Sequence, residues 1–163
     1  MIRTLLPLAA LAALGACSKA DGELNPGNWK TTMKINSFEV PGAPAEMQKQ
    51  IKDRMAMLTS RSQTSETCMT AAQAKAGVRE ISQKAQQGDC KLDPYTQGGG
   101  KMSGTLKCTN GMFGADGMKM DGTYTENKVD MTMVAEMMQA PVPGGKATIK
   151  MSVVSERTGD CAK

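Results

Sequence analysis

The sequence predicts an α+β fold: mainly an antiparallel β-meander, a curved sheet or half-barrel, with about two helices packed on it. Three observations predict it. From residue 89 onward, apolar residues recur at every second position in several segments. Before residue 89, two segments instead repeat at helical spacing. Glycine, proline and asparagine clusters punctuate the alternating segments as tight turns, most sharply at Gly98-Gly99-Gly100.

The first strand is expected over residues 29–40, an edge strand with Trp29, Thr31, Met33 and Ile35 on one face and Lys30, Thr32, Lys34 and Asn36 on the other. Trp29, the only tryptophan, is expected as a core anchor. Pro41-Gly42-Ala43-Pro44 breaks this strand. Residues 45–58 then carry Met47, Ile51, Met55 and Leu58 as one helical stripe. A polar link over 59–64 leads to a short extended piece at 65–69. Thr70 reads as the N-cap of a second helix over 71–84. Gly77 weakens that helix and Gly88 closes it. The strands that follow place Met102, Gly104, Leu106 and Cys108 on one face, then Met118, Met120, Gly122 and Tyr124. The next two place Val129, Met131, Met133, Ala135 and Met137, then Ala147, Ile149, Met151 and Val153. Residues 156–163 read as a polar tail.

The N-terminus carries an address rather than fold. Arg3 precedes a short apolar run over residues 5–14, too short to span a bilayer. Leu14-Gly15-Ala16-Cys17 follows, and it resembles the lipobox of bacterial lipoproteins. That resemblance implies a cleaved signal peptide over 1–16 and a lipidated Cys17. A tether over 17–28 and a single disulfide-bonded domain over 29–163 are expected to follow. Several acyl chains hold a protein stably on a membrane. Ser18, in place of an acidic residue, resembles enterobacterial lipoproteins sorted to the outer membrane. The expected location is therefore the cell envelope, lipid-anchored and facing the periplasm.

Without Arg3, the 20 basic side chains become 19 against 16 acidic ones. That slight excess, with no dense basic run, argues against a nucleic-acid partner. Cys68, Cys90, Cys108 and Cys161 make an even set in an exported chain, which reads as two disulfides. In a hairpin centred on Gly99, opposed residues have numbers summing to 198. Cys90 and Cys108 meet that condition, as do Leu92 and Leu106. Cys90–Cys108 is the preferred bridge and leaves Cys68–Cys161, although four cysteines allow three pairings.

The chain contains no histidine, which removes Ser-His and Cys-His nucleophile systems. Its carboxylates are scattered, and the glycine-rich residues 111–117 match neither a P-loop nor a dinucleotide fingerprint. No enzyme and no cofactor are expected. The most prominent chemistry is methionine, 15 residues in all. Residues 118–137, MKMDGTYTENKVDMTMVAEM, alternate on both sides of a polar turn. Flexible thioethers fill a core and also adapt to varied ligands. The principal expectation is therefore a non-enzymatic binding or structural module for an envelope protein or a small apolar ligand. The alternative is a copper(I)-binding protein that uses Met118, Met120, Met131 and Met133, since soft thioethers select copper(I).

Several motifs, in order, resemble a family of small exported bacterial proteins known as domain of unknown function 3617. They are Pro26-Gly27-Asn28-Trp29, Thr67-Cys68-Met69-Thr70, Cys90, Cys108, Asp121-Gly122-Thr123-Tyr124, Met131-Thr132-Met133 and Arg157-Thr158-Gly159-Asp160-Cys161. The resemblance implies an exported, disulfide-bonded, mainly β domain and supplies no activity, cofactor or site. This chain carries methionine where many relatives have bulkier aromatic groups.

Overall fold

A computed structural model describes residues 20–59, 61–84, 90–109, 116–138 and 145–162. The elements are β1 (Gly27–Glu39), α1 (Ala45–Thr59), β2 (Ser62–Met69), α2 (Ala71–Lys84), β3 (Cys90–Gly98), β4 (Lys101–Cys108), β5 (Met118–Thr125), β6 (Lys128–Met138) and β7 (Lys146–Gly159). The seven strands form one open antiparallel sheet in the order β2-β1-β7-β6-β5-β4-β3. Strands β3 to β7 are the expected meander. Cys17, the residues around Gly88 and most of the loops at 110–115 and 139–144 lie outside the described residues.

The pairing register puts the expected apolar positions on one face. Met120 opposes Met133, Met133 opposes Met151, and Met151 opposes Ile35. Trp29 is 2% exposed, and its Nε1 donates to the Asn25 carbonyl at 2.9 Å, which satisfies the one polar atom it buries. α2 covers one end of this face: Ala74 and Val78 pack with Leu24, Trp29, Met102, Tyr124 and Val129. α1 covers the other end: Met47 and Ile51 pack with Phe38, Val40, Ala147 and Met137. A third cluster of Leu106, Met118 and Ala135 lies in the same face.

Four expectations change. β1 is not an edge strand; it lies between β2 and β7, and β2 takes the edge. Residues 62–69 fold back along β1, with a Thr32–Thr64 hydroxyl pair at 3.4 Å across the two strands. The tail over 156–163 is strand as far as Gly159, because its polar side chains find partners. Glu156 pairs with Lys128 at 2.8 Å, and Arg157 Nε donates to the Pro26 carbonyl at 2.7 Å. Residues 21–25, read as part of a tether, are bound to the fold. Finally, the β3–β4 turn centres between Gly99 and Gly100, both with positive φ (58° and 75°), as a two-residue hairpin loop requires. Pairs near the turn therefore sum to 199. A bulge at Asp93-Pro94 then shifts the register by one, and Cys90 meets Cys108 at the expected sum of 198.

Both expected disulfides are present, Cys90–Cys108 and Cys68–Cys161. Two disulfides agree with an extracytoplasmic location. No helix among the described residues is long and apolar enough to cross a membrane.

Candidate functional site

The Met-x-Met pairs fall on one sheet face, with Met120 and Met133 directly opposed and Met118 and Met131 diagonal to them. Met118 opposes Ala135 and Met131 opposes Gly122, while Met120 opposes Met133. Met118 and Met120 are core residues, 9% and 3% exposed. Gly122 matters locally: a Cβ there would stand 2.4 Å from the Asp130 carbonyl oxygen, 3.0 Å from Met102 Cε and 3.1 Å from Met131 Cγ. The missing side chain lets the β6 backbone come close and leaves room for two methionines beside β5.

Between the two helices the face is only half covered. Two rows of side chains cross it. One runs Met120, Met133, Met151, Ile35; the other runs Met102, Gly122, Met131, Val153, Met33. Met131, Met133 and Met151 are half-buried, and Met33 is 41% exposed. The outward-pointing residues of the same strands are mainly Lys, Thr, Ser and Asp, so the apolar strip is confined to the helix-bearing face.

Next to this strip, α1 and the bulged end of β1 enclose a groove of about 890 Å³. Phe38, Val40, Ile51 and Met55 line it, with Lys49 and Lys52 among its lining residues. Its position is fixed by the start of α1, where Gln48 Nε2 donates to the Ala43 carbonyl at 3.0 Å. Its volume of several hundred Å³, with apolar walls on one side and Asn36, Ser37, Glu39 and Gln48 also in its lining, is of the size that takes a small amphipathic ligand. The two ammonium groups outnumber the one lining carboxylate, Glu39, and so favour a ligand with an anionic end. Sequence reasoning found the stripe of α1 but not the groove, because the bulge between Ile35 and Ser37 leaves no signature in composition. A second cavity, about 810 Å³, lies against the outward face of β3 to β6, where Thr96, Ser103, Asp121 and Thr132 make it polar.

A polar cluster sits at the α2 end. The Asp21 carboxylate accepts from the Tyr124 hydroxyl at 2.5 Å and from the Gly99 N–H at 3.0 Å. Gln97 Nε2 donates to the Asp21 carbonyl at 2.9 Å, and Tyr95 donates to Gln97 Oε1 at 2.5 Å. Arg79 stands 5.4 Å from the centre of the Tyr95 ring. Burial, with the Asp21 hydrogen bond and charge added, pushes the Tyr124 phenol up to about 12. Burial also raises Tyr95, opposed by the Arg79 charge. These groups engage one another and clamp residue 21 to the sheet. Nothing in the sequence marked Asp21, which lies in a polar stretch without periodicity. Among the described residues, no group of three or more histidines, cysteines or carboxylates is placed to hold a metal ion.

The model of a family described as protein of unknown function (DUF3617) matches residues 24–161. No curated protein and no solved structure matches the chain.

Proposed function

The chain belongs to the DUF3617 family, and from that premise we propose that it is a non-enzymatic envelope lipoprotein that binds a small apolar ligand with an anionic end. Cys17 carries the lipid anchor, and the domain faces the periplasm from the outer membrane. The lipobox-like Leu14-Gly15-Ala16-Cys17 supports the anchor, and the two disulfides support an oxidising compartment. The observation that carries the binding role is the groove under α1, continuous through Phe38 and Ile149 with the half-covered methionine strip.

A dansylated undecanoic acid tests it. Saturable fluorescence enhancement is expected with the folded domain, lost in a Lys49→Glu, Lys52→Glu variant that unfolds at an unchanged urea concentration. Enhancement that never saturates, or that survives the substitutions, would end the reading. The mass of the mature N-terminal peptide tests the anchor separately: an acylated Cys17 is expected, and a bare thiol refutes it.

A second reading, copper(I) binding, draws on one observation. Met120, Met133 and Met151 occupy directly opposed positions on three successive strands, so three thioethers share one row. Anaerobic titration with copper(I) against a chromogenic competitor decides it. Equal binding by a Met120→Leu, Met133→Leu, Met151→Leu variant would dispose of the idea.

A further inference from the structure

We infer that the end of the sheet carrying the β3–β4 turn faces the lipid bilayer, with Gly99, Lys101, Lys75 and Arg79 nearest the headgroups. The inference rests on the proposed lipidation of Cys17. It follows from how little chain is left between that cysteine and the first bound residue. Three residue steps separate Cys17 from Ala20, and an extended chain covers at most about 3.6 Å per step, so about 11 Å in all.

From Asp21 onward the chain is held. The Asp21 carboxylate is bound by Tyr124 on β5 and by the Gly99 N–H in the turn, and its carbonyl by Gln97 on β3. The Gly22 carbonyl accepts from the Val78 N–H at 3.2 Å, and the Leu24 N–H donates to the Ala74 carbonyl at 3.0 Å. Three elements therefore grip residues 21–24 together, and freeing this stretch costs all of those bonds and the buried Leu24 side chain. A flexible tether over the whole of 17–28 would leave the domain free to turn; three residue steps, about 11 Å at most, keep the bound end close to the membrane.

The geometry then sets which end is which. The turns at 98–101 and 125–128, the start of β1 and the finish of β7 share the end where Asp21 is bound. β7 is 14 residues long, so at about 3.3 Å per residue the opposite end stands roughly 45 Å away. α1 packs at that far end, so the groove under it lies at the end away from the membrane. The charges near the bound end are of both signs: Lys75, Arg79, Lys101 and Lys128 against Asp21, Glu23, Glu126 and Glu156. The tether, rather than attraction to anionic lipid, accordingly sets the orientation, which should not change with salt or with the share of anionic lipid.

The test uses the acylated mature protein in phosphatidylethanolamine–phosphatidylglycerol nanodiscs doped with a lipid whose headgroup carries chelated gadolinium. Amide relaxation enhancement is expected to be several-fold stronger at Gly99, Lys101 and Ala76 than at Gln48 and Ala147. A flexible Gly-Ser insert of about twelve residues between Lys19 and Ala20 should level that gradient. Mass spectrometry of the same sample reports acylation independently. A bare Cys17 overturns the anchor and the orientation with it. An acylated Cys17 with uniform enhancement, or enhancement strongest at the α1 end, overturns the orientation alone.

Discussion

At Tyr124 a single hydroxyl ties the body of the sheet to residue 21. Neither end of that bond was legible in sequence. The alternation of β5 placed Tyr124 inward, but a phenol's partner depends on chain returning from elsewhere. The bond has a signature in pH. The phenol is raised from 10.0 to about 12 by burial and then by Asp21, so the folded state holds its proton more tightly than the unfolded state. That stabilisation is complete below pH 10 and is lost as pH rises towards 12. A Tyr124→Phe variant should be less stable at pH 7 by about 1 kcal/mol, the usual worth of one hydrogen bond. It should also show a shallower alkaline decline than the wild type. Urea unfolding between pH 7 and 12 measures both. Trp29, by contrast, was readable from its own chemistry: a lone large aromatic at the start of an alternating strand is buried, and its indole nitrogen finds a carbonyl close by in sequence.

Among the elements, α2 departs most from its expectation. Its N-terminus follows the sequence: Thr70 and Gln73 form a reciprocal capping box, with Thr70 N–H to Gln73 Oε1 at 2.8 Å and Gln73 N–H to Thr70 Oγ1 at 3.3 Å. Gly77 does more than weaken the helix. With φ of 74° and ψ of −178° it breaks it, leaving the Ala74 carbonyl and the Val78 N–H without helical partners. Residues 22–24 insert there and satisfy both. A Cβ at position 77 would lie 2.8 Å from the Gly22 carbonyl oxygen. Gly77→Ala should therefore destabilise the fold by about 1–3 kcal/mol, through left-handed strain and the lost close approach. Its hydrogen exchange should rise at the amides of Leu24 and Val78 ahead of the rest. Sequence marked Gly77 as a weak point, but only the three-dimensional pairing shows what the break accommodates. The β3–β4 hairpin carries the same lesson: the cysteine pairing was readable because a turn shift and a bulge cancel at Cys90.

In the whole molecule, two-residue periodicity made the meander and its inner face legible, because side-chain direction is local. The closure of the sheet was not: β1 pairs with β7 across more than a hundred residues, and no local pattern encodes such a partner. The Cys68–Cys161 bridge spans this junction, joining edge strand β2 to the chain just beyond β7, with β1 between them. Its sequence separation of 93 gives a loop-closure contribution of up to about 4.5 kcal/mol in the chain-entropy model. A Cys68→Ser, Cys161→Ser variant should lose a large part of that in urea unfolding. Amides of residues 62–69 should then exchange first, since β2 is bound to the sheet along one side only.

The nesting of the two bridges also bears on the order of oxidation. A chain that crosses a membrane N-terminus first delivers Cys68, then Cys90, then Cys108, and Cys161 last. The first two thiols to emerge are not partners in the finished protein. An oxidant acting on them as they appear would make a Cys68–Cys90 crosslink, which thiol–disulfide exchange would then have to undo. β1 has β2 beside it early but gains its second neighbour, β7, only when the last strand is through. Trapping the folding intermediates with iodoacetamide should show that species rising and falling before the native pair is complete.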